Sequence, residues 1–283
     1  MRASRRHAAA LASAATGALL ACGCGQKVLT VVGPCPDGGT RIGTAGCAPA
    51  GLLDDLVGYW RLDDPSGSTG AHDSSTRGND GTLVELNPVS AWVAGYAAGG
   101  LAVEGMGYVN VNPSPSIDSI TEEVTIAGWG YLEGTIDDYA TIASREKADT
   151  IDQHYHISIN SRGEVPALFI KTENAAPIVL GPTAVTRQTW VHIAGTYDGT
   201  AARLYVDGQL VASMPVTGRF VADTTPFIIG ANGNGSDLGV TERFPGMIDE
   251  IMLYRRALSG AEIAQLHDGA LFTSPGPDAG ARD

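Results

Sequence analysis

The sequence has few positive charges. It contains 18 Lys and Arg against 31 Asp and Glu, which gives a formal net charge of −13 at pH 7. Binding to the phosphate backbone of nucleic acid depends on clustered Lys and Arg, so this composition argues against nucleic acid as a partner. An acidic balance is also ordinary for an exported domain, and its simplest interpretation is solubility.

Long apolar runs are also missing. The first stretch of small and apolar residues, Ala8 to Ala21, is too short to span a bilayer as a mature helix, and it follows Arg2, Arg5 and Arg6. A basic start followed by a short apolar stretch is typical of a targeting segment. We therefore expect residues 1–21 to be a signal peptide.

The end of that segment, Leu19-Leu20-Ala21-Cys22, resembles a bacterial lipobox. The resemblance implies cleavage before Cys22 and lipidation of its sulfur, which would anchor the chain to the cell envelope, at the outer membrane or cell surface of a Gram-negative bacterium. The alternative is an ordinary secretory signal cut near the same place. Removal of residues 1–21 leaves 15 basic and 31 acidic residues, a net charge of −16.

Cysteine is scarce, and all four cysteines (Cys22, Cys24, Cys35, Cys47) precede residue 50. No His lies among them and their spacing fits no zinc motif, which argues against a metal centre. If Cys22 is lipidated, Cys35 and Cys47 are the natural disulfide pair, because they close a small loop with almost no core of its own. The role of Cys24 stays open.

Glycine and proline are plentiful, at 37 and 15 residues, while only 17% of residues are charged. This composition suits short strands joined by many tight turns. Asp207-Gly208, flanked by Leu204–Val206 and Gln209–Val211, predicts a hairpin with a two-residue type I′ turn. With 283 residues, the length fits one large β-sandwich with extra segments at its ends.

The sequence from Met247 to Leu266 predicts a strand followed by a short helix. Alternation along 247–254 predicts that Ile248, Met252 and Tyr254 share one face and that Asp249, Ile251 and Leu253 share the other. Ser259 and Glu262 form a capping box, which would open the helix and direct Ile263 and Leu266 inward.

In this order, these pieces resemble the laminin-G-like branch of the concanavalin A-like jelly rolls. Further matches are an aromatic first strand at Leu56–Leu62, a loop of the D-S-x-G-N-x-G kind at Asp73–Gly81, and an apolar strand with a central Trp at Val124–Leu132. The resemblance implies an all-β, two-sheet antiparallel jelly-roll β-sandwich with one short C-terminal helix over residues 52–272. Residues 22–51 would form a tether with the small Cys loop, and 273–283 lack apolar periodicity and are expected to be disordered.

Asp249 is the first candidate for a functional atom. A carboxylate within an apolar strand needs a partner, because burying an unpaired charge is costly. The resemblance implies a structural Ca²⁺ held by Asp249 and by backbone carbonyls, with side-chain oxygens of the opening loop as further donors. The predicted calcium residues are Asp249, Asp63, Glu104, Gly105, Asp73 and Asn79. The alternative is that Asp249 caps local backbone N–H groups without an ion.

Aromatic rings stack on sugar faces, so the positions of the aromatic residues bear on ligand binding. Three tryptophans fall at core positions of the family pattern: Trp60, Trp129 and Trp190. The candidates for a surface that binds ligand are Trp92, Tyr131, Tyr139 and Tyr155. His154 and His156 would share one strand face and could hold a transition metal, but no third ligand is close in sequence, and packing is the favoured interpretation.

Motifs that would support catalysis are absent. Glucanases of the resembled fold carry their carboxylates in an E-x-D-x-E pattern on one strand, which this sequence lacks, and it has no G-x-S-x-G or HExxH. Its adjacent acidic pairs would point to opposite sides of a strand: Glu122-Glu123, Asp137-Asp138 and Asp249-Glu250. We therefore expect an exported, lipid-anchored, non-catalytic module that binds carbohydrate. The alternatives are a protein-interaction or adhesion module and, third, a glycan hydrolase or lyase.

Overall fold

A computed structural model describes residues 31–34, 40–42, 46–49, 51–147, 152–221, 224–233 and 240–271. The strands before the first helix are β1 (Val31–Pro34), β2 (Thr40–Ile42), β3 (Gly46–Ala48), β4 (Leu56–Trp60), β5 (Gly70–Ala71), β6 (Gly81–Val84), β7 (Trp92–Ala97), β8 (Gly99–Ala102) and β9 (Tyr108–Val111). The later elements are α1 (Pro115–Asp118), β10 (Val124–Leu132), β11 (Tyr139–Lys147), β12 (Asp152–Asn160), β13 (Val165–Ile170), β14 (Ile178–Leu180), β15 (Trp190–Tyr197), β16 (Ala201–Val206), β17 (Gln209–Pro215), β18 (Phe227–Ile229), β19 (Asn232–Gly233), β20 (Val240–Thr241), β21 (Gly246–Tyr254) and α2 (Gly260–His267).

Two antiparallel sheets of eight strands form the sandwich, which confirms the predicted fold class. The first sheet has the order β17-β16-β15-β10-β21-β8-β7, and β4 also pairs with β21. The second sheet has the order β14-β13-β12-β11-β18-β9-β6-β5. The segment expected to be a tether contributes β1, β2 and β3, which form a small sheet of their own.

The main core lies between the two sheets. Trp60 of the first sheet stacks on Phe227 of the second, with ring centroids 5.2 Å apart, so the prediction that Trp60 packs in the core is confirmed. A second cluster lies on the outer face of the first sheet, where Tyr59 and Met252 pack with Ile263 and Leu266 of α2. Burial of apolar surface on both sides of the first sheet therefore fixes α2 against it.

The predicted hairpin and capping box are confirmed. Asp207 and Gly208 have φ angles of 47° and 75°, as a type I′ turn requires. The Glu262 N–H donates to Ser259 Oγ at 3.3 Å, and the Ser259 N–H donates to Glu262 Oε2 at 2.8 Å. The predicted C-terminal helix is present as α2, and α1 adds a second short helix, which Ser114 caps.

The predicted alternation of the last strand is wrong after Glu250. Ala127 of β10 lies opposite Met252 while Trp129 lies opposite Asp249, so two steps on β10 match three on β21. This β-bulge includes Glu250, whose φ is 52°. Consequently Ile248, Ile251 and Leu253 face the main core, whereas Met252 and Tyr254 face α2.

Several predictions concern residues outside the described ranges. Cys22, Cys24 and Cys35 lie there, as does the tail 273–283, and only the backbone of Cys47 is described. Lipidation, the Cys35–Cys47 disulfide and the disordered tail therefore stay predictions. Within the described ranges, no helix has the length and apolarity needed to cross a membrane.

Candidate functional site

A cleft of about 800 Å³ lies at one end of the sandwich, where loops from three distant parts of the chain meet. We call it the rim cleft. The loops are the turn after β8, the connection from β10 to β11, and the segment from β20 to β21. The side chains that could contact a ligand there are Glu104, Asp137, Asp138, Tyr139, Glu242 and Arg243.

Backbone hydrogen bonds hold the three loops together. The Gly105 N–H donates to the Phe244 carbonyl at 2.8 Å, and the Gly134 N–H donates to the Pro245 carbonyl at 2.8 Å. Glu104 and Gly105 both have positive φ angles, of 47° and 68°, which turn the chain sharply after β8. The cleft therefore depends on contacts between segments more than 100 residues apart.

Glu242 is the least exposed of the four carboxyl groups in the cleft. Its Oε2 accepts a hydrogen bond from Asn232 Nδ2 at 2.9 Å. Burial raises the pKa of Glu242, and the nearby charge of Asp138 raises it further. Glu104, Asp137 and Asp138 are exposed, so they remain free to meet a ligand from solvent.

Arg243 is held in place by its own contacts. Its Nη2 lies 2.6 Å from Glu85 Oε2, its Nη1 donates to the Met106 carbonyl, and the guanidinium carbon lies 5.8 Å from the Tyr108 ring centroid. Because Glu85 balances the charge of Arg243, the four carboxyl groups leave the cleft with an excess of negative charge.

Tyr139, one of the predicted ligand-binding residues, lines the rim cleft. Its half-buried ring meets Phe169 edge-on, with centroids 4.9 Å apart. Burial raises the pKa of Tyr139, while a hydrogen bond with Asn160 lowers it. The Phe169 and Asn160 contacts fix the ring orientation, and a fixed aromatic ring costs little entropy when it receives a ligand.

Arg187 connects the cleft to the loop that precedes β15. Its Nη1 donates to the Glu133 and Gly134 carbonyls at 3.1 and 2.8 Å, and its Nη2 donates to Glu164 Oε1 at 2.6 Å. Its Nε contacts the same carboxylate, so the guanidinium forms a fork on Glu164. One side chain thus fixes the cleft wall at Gly134.

Asp249 lies elsewhere, on the outer face of the first sheet. Its Oδ2 accepts the Ala97 N–H and its Oδ1 accepts the Glu250 N–H, each at 2.9 Å. Burial raises the pKa of Asp249 well above its usual range, and the charge of Asp63 adds to the shift. Asp249 therefore caps two backbone N–H groups, as the interpretation of this residue without a bound ion predicts.

Asp63 reaches the same turn. Its Oδ1 accepts the Gly99 N–H at 2.6 Å, and its Oδ2 lies 2.7 Å from Arg61 Nη2. The predicted calcium site takes the Asp249 carboxylate and a backbone carbonyl from around Asp63. Both residues contact the Ala97–Gly99 turn.

The other predicted calcium residues lie apart from this turn. The Glu104 N–H donates to the Gly246 carbonyl, three residues before Asp249, which is about 10 Å along a strand. The Asp73 carboxylate accepts the N–H groups of Tyr59, Ser75 and Asn79, and the Asn79 side chain bonds to Val57 and Ser116. The six residues do not converge, and the described ranges contain no group of three or more His, Cys, Asp or Glu able to hold a metal ion. Calcium binding stays a prediction, restricted to Asp63 and Asp249.

The remaining aromatic candidates divide by burial. Tyr155 is wrong as a surface residue, because it is fully buried in the main core. Trp92 is half-buried and its indole N–H donates to the Ser68 carbonyl at 2.9 Å. Tyr131 is half-buried on the outer face of the first sheet. His154 and His156 are buried, and burial lowers the pKa of His156 to about 3, which agrees with packing.

Two of the three tryptophans expected in the core lie outside it. Trp129 is buried but stacks on Tyr96 and His267 on the outer face of the first sheet, and Trp190 is half-buried beside Tyr131. The core positions on these strands are taken by inward residues such as Ile126 of β10 and Ile193 of β15. The rim residues Glu242 and Arg187 were missed, because only the folded chain brings them to Tyr139 and Gly134.

Comparisons with known proteins agree with this architecture. The family described as the concanavalin A-like lectin/glucanases superfamily matches residues 104–264, more than half of the chain. No match was found among curated protein sequences.

Solved structures with a similar fold include domain 4 of AbnA, an extracellular arabinanase from Geobacillus stearothermophilus, in complex with arabinotriose. It is 18% identical, with a TM-score of 0.54, over 75% of this chain and 98% of that one. The binding domain of Paraclostridial Mosquitocidal Protein 1 is 17% identical, with a TM-score of 0.56, and the match covers 76% of this chain and 52% of that one. Trypanosoma rangeli sialidase in complex with sialic acid is 16% identical, with a TM-score of 0.58, and the match covers 86% of this chain and 37% of that one. This chain thus spans about half of the toxin binding domain and about a third of the sialidase. By its sequence match, and in agreement with its fold, the chain belongs to the concanavalin A-like lectin/glucanase superfamily.

Proposed function

We propose that this protein is a carbohydrate-binding module and that the rim cleft is its binding site. The observation that carries the proposal is the convergence of the Tyr139 ring, four carboxyl groups and Arg243 in one cleft of about 800 Å³. A concave site with a few convergent polar groups is the usual form of a small-ligand site. A sugar matches it, because hydroxyl groups donate to carboxylates and accept from guanidinium groups, while C–H faces pack on an aromatic ring.

Two of the similar structures support this class of ligand. The arabinanase domain was solved with arabinotriose and the sialidase with sialic acid. At 18% and 16% identity these likenesses concern the fold, and function depends on the site that a fold carries. The side chains of the rim cleft must therefore be tested directly.

The test is binding of the mature protein to an array of glycans, followed by titration of the best binder. Glu242→Gln and Tyr139→Ala should each weaken binding about tenfold, since each removes a polar or stacking contact. Glu173→Gln changes an exposed acid away from the cleft and should bind as the wild type does. Unchanged binding by both cleft variants would refute the site. Release of reducing sugar from the bound glycan would instead identify a hydrolase, and capture of proteins without any glycan would favour the adhesion alternative.

Anchoring at the cell envelope through lipid on Cys22 is part of the same proposal, and its support is the lipobox sequence alone. A lipid anchor would hold the binding module at a membrane surface without a spanning helix. The ligands within reach would then be polysaccharides of the envelope or of the surroundings.

A further inference from the structure

Four aromatic side chains form a continuous strip on the outer face of the first sheet. We call it the aromatic ridge: Tyr96, Trp129, Tyr131 and Trp190. Trp129 and Tyr131 are two residues apart on β10 and so share one face, and Tyr131 pairs with Trp190 of β15. Tyr96 lies at the end of β7, next to the turn that Asp249 caps.

Each ring of the ridge lies next to another ring of the ridge. The Tyr96 and Trp129 rings stack with centroids 3.4 Å apart and planes inclined by 16°. The Trp190 ring lies 6.4 Å from that of Tyr96, nearly perpendicular, and 5.4 Å from that of Tyr131. Because each ring is held by its neighbours, the ridge presents a preformed surface rather than four mobile side chains.

Helix α2 covers only part of the outer face. His267, the last residue of the helix, stacks on Trp129 with centroids 5.4 Å apart, and the ridge continues beyond it. Trp129 is 3% exposed, whereas Tyr96, Tyr131 and Trp190 are half-buried and keep part of their surface in solvent. Grouped, partly exposed aromatic rings at the surface of a folded domain mark a binding surface.

Polar groups border these rings. Burial raises the pKa of Tyr96, and the charges of the exposed residues Asp207 and Asp268 raise it further. Trp190 also lines a pocket of about 210 Å³, whose hydroxyl groups come from Thr183, Thr186 and Thr189. Asp207 lines the same pocket, so a carboxylate-bearing residue and three threonines share it with Trp190.

We infer that the aromatic ridge is a second binding surface, which takes a polysaccharide chain with its sugar rings stacked on Tyr131 and Trp190. Flat rings bordered by hydroxyl and carboxylate groups match the alternating C–H faces and hydroxyl edges of such a chain. Tyr and Trp are also enriched at protein interfaces. The threonines and the carboxylate that share a pocket with Trp190 are what favour a sugar polymer as the ligand.

The inference rests on the proposed function and narrows it to a polymer. Tyr131 is three residues from Gly134 in the wall of the rim cleft, a separation of about 10 Å along an extended chain. A polysaccharide could therefore occupy both surfaces, whereas a short oligosaccharide could fill the cleft alone. Linked sites of this kind raise the affinity for the polymer more than that for the short sugar.

The experiment measures retention of the mature protein on insoluble cellulose, chitin and xylan and in gels containing soluble arabinan, together with titration of the oligosaccharide that the array selects. Trp190→Ala and Tyr131→Ala should reduce polymer retention at least tenfold and leave oligosaccharide affinity unchanged. Trp190→Phe keeps an aromatic ring and should retain most of the binding, which separates loss of stacking from loss of folding. Val89→Ala, a change at an exposed apolar residue outside both the ridge and the rim cleft, is the control and should be retained as the wild type is.

The outcomes separate the ridge from the cleft. Wild-type retention by both Trp190→Ala and Tyr131→Ala, or retention on none of the four polymers by the wild-type protein, would overturn the inference. If the ridge variants lose polymer retention while Glu242→Gln binds the oligosaccharide as the wild type does, the ridge stands and the rim cleft fails as a site. Equal loss of polymer and oligosaccharide binding in the ridge variants would contradict a second surface.

Discussion

The hydroxyl group of Tyr59 donates a hydrogen bond to Oε2 of Glu250, joining two buried side chains that are 191 residues apart in the sequence. Glu250 lies in the bulge of β21, and Tyr59 belongs to β4, which pairs with β21. Arg61 contributes the nearest positive charge, with its Nε 3.9 Å from Glu250 Oε1. The Arg61 guanidinium thus faces the carboxyl groups of Asp63 and Glu250 at a buried place in the first sheet, and the charge of Asp249 also acts on Glu250.

Glu250→Gln should make stability less dependent on pH. Burial and the charge of Asp249 raise the pKa of Glu250 above its unfolded value of 4.5, so the group favours folding below that pH and loses this contribution as pH rises. The glutamine side chain cannot ionise but can still accept from Tyr59. Between about pH 5 and about pH 8, the melting temperature should fall less in the variant than in the wild type. If the melting temperatures of the variant and the wild type change equally with pH, Glu250 does not titrate in this range. The control Glu173→Gln should show the wild-type dependence of melting temperature on pH.

Removal of calcium should lower the melting temperature if Asp249 and Asp63 bind the ion. Binding only to the native state adds roughly 2.7 kcal/mol when calcium is about 100 times its Kd. Calcium should restore the melting temperature after chelation, and magnesium should do so poorly because it needs a stricter geometry. Asp249→Asn should respond weakly to calcium. Identical melting with and without chelator, and no calcium by elemental analysis, would leave Asp249 as a backbone cap only.

Arg187→Lys should weaken glycan binding several-fold with little loss of stability. Lysine keeps the charge but cannot form the fork on Glu164 while also donating to the Glu133 and Gly134 carbonyls. Exposed ion pairs contribute about 0–1 kcal/mol, so the melting temperature should change by only about 2–4 °C. Calorimetric titration and thermal melting measure the two effects. A large melting shift with unchanged affinity would mean that Arg187 supports the fold and not the cleft.

The ion pair between Arg187 and Glu164 should respond to pH in the opposite direction to Glu250. The hydrogen bond from Arg187 holds the pKa of Glu164 below its usual value of 4.5. The stabilisation from this ion pair is therefore present above that pH and is lost as the pH falls. Acidification below about pH 4 should therefore weaken glycan binding in the wild type more than in Arg187→Lys, where the fork is already gone.

Cys22→Ala should abolish labelling of the protein by a fatty-acid analogue and leave the signal peptide uncut. The reason is that the lipobox resemblance places both modification and cleavage at this residue. Fractionation of cells and mass spectrometry of the N-terminus measure the result. Membrane association of a processed Cys22→Ala protein would contradict the anchor.

Local signals in the sequence predicted the elements that depend on a few adjacent residues. Asp207-Gly208 specifies a turn and Ser259 with Glu262 specifies a helix start, because each motif satisfies its own backbone. The faces of β21 could not be read in the same way. One extra residue at Glu250 reverses the alternation after it, and nothing in the local composition marks that residue as bulged.

The site was predictable only in fragments. Tyr139 was identified as a ligand-binding candidate, but the rim cleft also requires Glu242 and Arg187, which tertiary contacts bring together. Tyr155 met the same sequence criterion as Tyr139, yet it faces the main core. Aromatic residues on neighbouring strands differ in exposure because the register of pairing, which spans many residues, decides the face on which each one lies.

If residues 1–21 act as the predicted signal peptide, the position of β21 has a consequence for export of the chain. This strand pairs with β4, β8 and β10, so the middle of the first sheet is missing until a segment near residue 250 is available. Pairing of β4 with β21 closes a loop of nearly 200 residues, and contacts so distant in sequence form slowly. An emerging chain would therefore remain without a complete core while most of it is being made. In a chain that is exported, that delay would preserve the unfolded state that a translocation channel accepts.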